Sequence, residues 1–145
     1  MSATPLQMAL VAAGIANNGV IMTPHLLAEV RDTDGVVIDR YDAKPWLTAV
    51  PANVAQQTRD MMVGVVAGGS GTRAQIPGVT VAGKTGTAQT GLDKSQVWFI
   101  AFAPAEAPRV AVAVMLENQP HTSEIPGGAH AAPIAQAVIR AALAM

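Results

Sequence analysis

A cation, two hydroxyls and a stretch of bare backbone stand together in Gly83-Lys84-Thr85-Gly86-Thr87. Two chemistries use such a group. With Gly78, the run from Gly78 to Thr85 fits the phosphate-cradling spacing G-x-x-x-x-G-K-[ST], which must follow a strand, form a loop and open a helix. Here Ile76-Pro77 precedes it in place of a strand, Val79-Thr80-Val81-Ala82 favours extended backbone, and Gly86 and Gly91 weaken any helix that follows. The second reading puts Lys84 to Thr87 on a strand. Lys84 then presents its ammonium, Thr85 and Thr87 their hydroxyls, and Gly86 lets a ligand's backbone come close. That surface suits an extended peptide ending in a carboxylate and lying along a strand edge. Gly86 taken alone would equally mark a bulge.

The other chemically able residues point elsewhere. His25, His121 and His130 have no metal-ligand spacing and no cysteine to join them, so no metal site is expected. Gly68-Gly69-Ser70-Gly71-Thr72 reads as a structural turn, because Arg73 is its lone basic neighbour. The stretch His121 to Gly128, with Ser123 and Glu124, reads as a solvated loop able to border a groove. Met61-Met62 and Trp98-Phe99 read as core.

Elements must position these residues. Thr4-Pro5-Leu6-Gln7 opens a helix as a capping box with Pro at its first position. The helix runs to about Asn17 and stops at Gly19. Leu6, Met8, Leu10, Val11 and Ile15 fall on all its sides, the mark of a helix surrounded by neighbours. His25–Val30 and Val36–Tyr41 form a hairpin across Asp32-Thr33-Asp34-Gly35, its dense charge leaving one side to water. A second helix follows Pro51, with Arg59-Asp60 on its wet face, and ends at the glycine turn. Strands over Val79–Gln89, Val97–Ala103 and Val110–Leu116, joined by short connections, give an antiparallel meander. A last helix starts at Pro133 and reaches about Leu143. The fold class is therefore mixed α/β, of the α+β type, with helices flanking an antiparallel sheet.

Composition narrows the function. The chain has 145 residues, half of them apolar, with 13% charged and a net charge of −1. An ordinary soluble domain carries about 25% charge. A nucleic-acid binder would show a basic stripe; none is present, so no nucleic-acid partner is expected. Leu6 to Ala16, the longest apolar run, is too short to span a bilayer, which takes about 20 residues. The sparse charge instead suggests apolar surface covered by other protein. With no cysteine, disulfide and thiolate chemistry are excluded.

K-T-G is the third motif of β-lactamases and penicillin-binding proteins, after S-x-x-K and S-D-N. Val81-Ala82-Gly83-Lys84-Thr85-Gly86-Thr87-Ala88-Gln89 resembles that motif in the class B penicillin-binding proteins, the peptidoglycan transpeptidases. Pro5-Leu6-Gln7-Met8-Ala9 with Ala16-Asn17-Asn18-Gly19 is similar to the family's upstream helix and turn. Gly68 to Thr72 resembles its glycine turn, Trp98 to Pro104 its next strand, and Ala131-Ala132-Pro133 the start of its last helix. K-T-G alone is a weak signal; these segments in this order are specific, and they cover nearly the whole chain.

The resemblance implies a serine enzyme that attacks D-Ala-D-Ala stem peptides of peptidoglycan, expels the last D-alanine and passes the acyl group to a neighbouring amine. Penicillin and other β-lactams would be bound by the same site, with no cofactor. By that likeness Lys84 helps hold the proton network of the serine and attracts the substrate carboxylate. Thr85 and Thr87 offer it hydroxyls, and the Thr87 N–H is one of two oxyanion donors. The serines are Ser2, Ser70, Ser95 and Ser123; none has lysine three residues on, and no S-x-N occurs. In the family both motifs lie upstream, so residues 1–145 resemble the C-terminal portion of a transpeptidase domain whose first half is the missing partner. The likeness further implies an extracytoplasmic location on an anchor outside this chain. D,D-carboxypeptidases and β-lactamases share the third motif and give a second enzyme reading. A non-catalytic binding module gives a third.

Overall fold

The computed structural model describes residues 2–90, 94–120 and 127–144. Helix α1 (Pro5–Ala16) is followed by β1 (Val20–Met22), β2 (Glu29–Arg31), β3 (Val37–Arg40) and β4 (Pro45–Thr48). Helix α2 (Ala52–Gly68) leads through a 3-10 turn (Thr72–Ala74) to β5 (Ala82–Thr90), β6 (Lys94–Ala103) and β7 (Val110–Pro120), and α3 (Gly127–Leu143) comes last. β5, β6 and β7 form a three-stranded antiparallel sheet in sequence order, with β5 at an edge. The mixed fold and the meander expected from the short connections are what the chain adopts.

Strand alternation gives this sheet two buried faces. Val97, Phe99, Ala101 and Ala103 of β6 point to one, where Ala131, Ala132, Ala135 and Ile139 of α3 cover them. Ile100 and Phe102 point to the other, against Ala12 of α1 and Met62 of α2. A β6 buried on both faces explains why Val97 to Ala103 is an almost unbroken apolar run.

Several elements differ from expectation. The capping box is present, with the Thr4 N–H donating to Gln7 Oε1 (2.8 Å) and the Gln7 N–H to Thr4 Oγ1 (3.2 Å). Yet α1 buries Ala12 and Gly14 while Leu6 and Val11 stand exposed, so the expected all-round burial is not realised within this chain. Gly19 takes φ +91° at the stop, and its N–H caps Gly14 O at 2.7 Å. The β2–β3 hairpin forms, pinned by Glu29 between Arg31 and Arg40. The β1–β4 pair was not foreseen: both strands are too short to show a period. Of the presumed core pairs, Met62 and Phe99 are buried, Trp98 is half-buried, and Met61 is exposed. β5 starts at Ala82 because Ile76–Val79 closes a small turn through Gly78 (φ +77°).

α3 begins at Gly127, so Pro133 lies inside it. Proline has no N–H to reach the carbonyl four residues back, which leaves Ala129 O without its helical donor. Arg73 Nη1 supplies one at 2.9 Å, tying the 3-10 turn to α3. Near the opposite end of β5, Glu106 is held below the usual carboxylate range by the Thr80 hydroxyl, its own backbone N–H and the charge of Arg59.

Candidate active site

The Lys84-Thr85-Gly86-Thr87 run lies in the middle of β5, on regular ladder. The pairing runs from Ala82↔Phe102 to Thr90↔Lys94 without a shift, so Gly86 is not a bulge. It opposes Trp98, and an added Cβ there would sit 3.3 Å from Trp98 Cβ. This extended geometry also disposes of the phosphate-loop reading, since Lys84 and Thr85 continue a strand where that motif must open a helix.

Alternation divides the four residues between the faces of the sheet. Lys84 lines an apolar cleft of about 310 Å³ with Ile15 of α1, Thr58, Met61, Met62 and Val65 of α2, and Ile100 of β6. Its Nζ donates to the Thr85 carbonyl at 2.7 Å. Among the described residues no carboxylate pairs with this ammonium. An ammonium has three hydrogens, so two are left for other acceptors. Thr85 and Thr87 share the opposite side, as strict alternation requires. The four residues therefore come together only along the outer edge of β5, which no strand pairs among the described residues and where a ligand can meet ammonium, hydroxyls and backbone at once.

The face that holds Thr85 is built around Phe99, its cross-strand partner, which is fully buried. Gly83 lies beside the ring: an added Cβ would stand 2.5 Å from Phe99 Cζ. The glycine turn closes over the same ring, with the Cβ position of Gly71 3.1 Å from Phe99 Cε2. This places Ser70 against the strand, where Ser70 Oγ and Thr85 Oγ1 are 2.8 Å apart and hydrogen-bonded. From sequence this turn is structural and Ser70 has no part in the site, because a contact across fifteen residues carries no local signal. Gly128, at the start of α3, backs both groups. The stretch with His121, Ser123 and Glu124, expected as a solvated loop able to border the groove, lies outside the described residues. His25 is stacked on Tyr41 with ring centroids 3.6 Å apart, and His130 is exposed on α3.

Residues 1–140 match the family model described as the penicillin-binding protein transpeptidase domain. The chain belongs to the penicillin-binding protein transpeptidase family. It is 45% identical over 146 residues to the peptidoglycan D,D-transpeptidase PbpA of Mycobacterium tuberculosis, covering 97% of this chain and 29% of PbpA. It is 32% identical to stage V sporulation protein D of Bacillus subtilis, covering 99% of this chain and 23% of that protein. The fold superposes on the ceftriaxone acyl-enzyme complex of M. tuberculosis penicillin-binding protein A with a TM-score of 0.87 and 44% identity, over 97% of this chain and 32% of that one. A D,D-transpeptidase domain from Eggerthella lenta gives 0.84 and 39%, over 98% of this chain and 32% of that one. The chain thus spans less than a third of the length of these relatives. Within a penicillin-binding transpeptidase, the K-T-G-T strand is β5, and the S-x-x-K and S-x-N motifs occur nowhere in this sequence.

Proposed function

We propose that this chain is the C-terminal portion of the transpeptidase domain of a peptidoglycan D,D-transpeptidase, and that β5 is its substrate platform. The reaction cuts the D-Ala-D-Ala amide of a stem peptide. A serine from the missing first half attacks the carbonyl, the last D-alanine leaves with a proton on its nitrogen, and a neighbouring stem's amine then displaces the serine. Splitting one difficult substitution into two acyl transfers is the gain of covalent catalysis.

Each residue of the edge has a part in this. Lys84 holds a positive charge beside the attacking hydroxyl and the substrate carboxylate. Thr85 and Thr87 donate hydroxyl hydrogens to that carboxylate. The Thr87 N–H is one oxyanion donor, a group whose removal typically costs about 3–4 kcal/mol of barrier at acyl-transfer sites. The cleft beneath Lys84 receives the element that brings the serine. β-Lactams bind by the same contacts, because they too present an acyl carbonyl and a carboxylate. The intact protein works outside the cytoplasmic membrane on an anchor outside this chain; among the described residues no helix is long and apolar enough to cross a membrane.

The observation that carries this reading is that, among the described residues, an ammonium with no carboxylate partner stands on an unpaired sheet edge, flanked by two hydroxyls and a glycine. Fluorescent penicillin tests it. The intact protein should label strongly, its Lys84→Ala variant slower by orders of magnitude, and residues 1–145 alone not at all. Covalent labelling of the isolated chain, or undiminished labelling of Lys84→Ala, would overturn it. Release of free D-alanine without cross-linking would favour a carboxypeptidase.

A further inference from the structure

Resting on the transpeptidase reading, we propose that Ser70 is a positioning residue: it sets the direction of the Thr85 hydroxyl and so governs recognition of the ligand carboxylate. The starting point is the 2.8 Å contact between Ser70 Oγ and Thr85 Oγ1, in which either hydroxyl can donate. A hydroxyl has one hydrogen and two lone pairs. A carboxylate only accepts. Thr85 can serve it only by giving up its single hydrogen, and its bond to Ser70 must then be one it accepts. Ser70 therefore donates to Thr85, and Thr85 donates to the carboxylate. Such a chain polarises each bond in the same sense.

Ser70 can do this because its turn is clamped from several sides. The Gly69 and Gly71 N–H groups both donate to Val65 O, at 3.1 and 3.0 Å. The Gln75 side-chain amide donates to Val66 O and Ala67 O, at 2.9 and 3.0 Å, satisfying carbonyls at the end of α2. Arg73 holds Ala129 O on α3. Gly128 completes the fit: a Cβ there would collide with Ser70 O and stand 3.4 Å from Thr85 Cγ2. The Thr85 hydroxyl thus rests on Ser70, in the space that the missing side chain of Gly128 leaves for the turn. Threonine is β-branched and stiff at χ1, so a bond to its hydroxyl favours one rotamer. The hydroxyl is oriented before any ligand arrives, which is where binding gains from preorganisation.

The test uses the intact protein and two ligands, benzylpenicillin and its methyl ester, which lacks the carboxylate charge. Ser70→Ala should slow acylation by benzylpenicillin about five- to tenfold, the range of one hydrogen bond. The loss should fall on the dissociation constant of the non-covalent complex, with the acylation step itself unchanged. Ser70→Thr should restore wild-type behaviour within about twofold. The methyl ester should acylate wild type and Ser70→Ala at equal rates. In a Thr85→Val background, Ser70→Ala should have no further effect on benzylpenicillin. If Ser70→Ala fails to fold, Ser70→Gly in this glycine-rich turn carries the same expectations. Equal losses for acid and ester would make Ser70 merely structural and overturn the proposal, as would no loss for the acid. Either result leaves the transpeptidase reading standing, which falls instead if wild type and Lys84→Ala label alike.

Discussion

Phe99 is fully buried beneath β5, and the residues around it are chosen to leave it room. Burying such a ring contributes about 1.5–3 kcal/mol, and Gly83 sits where any side chain would collide with it. Gly83→Ala in the intact protein should cost about 1–3 kcal/mol as ring and strand move apart. It should also slow penicillin acylation, because Lys84 and Thr85 are the next residues along. Calorimetry and acylation kinetics check this together; an unchanged melting temperature would show that the ring yields freely. The Lys84-Thr85-Gly86-Thr87 group was legible in the sequence because Val79 to Ala82 before it favours extended backbone and K-T-G is a known motif. Ser70 was not. Its part depends on Phe99 drawing the glycine turn across the sheet, and no spacing between residues 70 and 85 announces that.

At the scale of elements, the α1 start is the most explicit local signal in the chain: Thr4 and Gln7 satisfy one another's backbone N–H groups. Thr4→Ala removes half of that box and should destabilise the intact protein by about 0.5–2 kcal/mol. Thr4→Ser should restore most of the loss, with urea unfolding as the measurement. Equal midpoints for Thr4→Ala and wild type would mean that packing alone holds the helix. α3 misled the reading for a physical reason. Proline is favoured at a helix's first position, so Pro133 suggested a start. The chain instead carries the proline in the interior, with Arg73 satisfying the carbonyl that the proline leaves open. β1 and β4 were illegible because three- and four-residue strands are too short to show alternation.

For the whole molecule, the short connections made the antiparallel meander readable, and the helices before and after the strands supplied its covers. The sparse charge pointed to covered apolar surface. The structure puts some of that surface on α1, at Leu6 and Val11, and around the Lys84 cleft, at Met61. On the proposed function, both positions suit contact with the half that would bring the serine. The proposal makes the edge of β5 the line where two parts of one domain would meet the substrate. A crystal structure of the intact protein acylated with benzylpenicillin measures this most directly. The expected structure has the drug carboxylate within hydrogen-bond distance, about 2.5–3.2 Å, of the Thr85 or Thr87 hydroxyl. The acyl carbonyl oxygen should lie at similar reach of the Thr87 N–H, with Lys84 Nζ beside the acylated serine. A penicillin seated away from the β5 edge, with Lys84 still bonded only to its own strand, would contradict the assignment of this strand as the substrate platform.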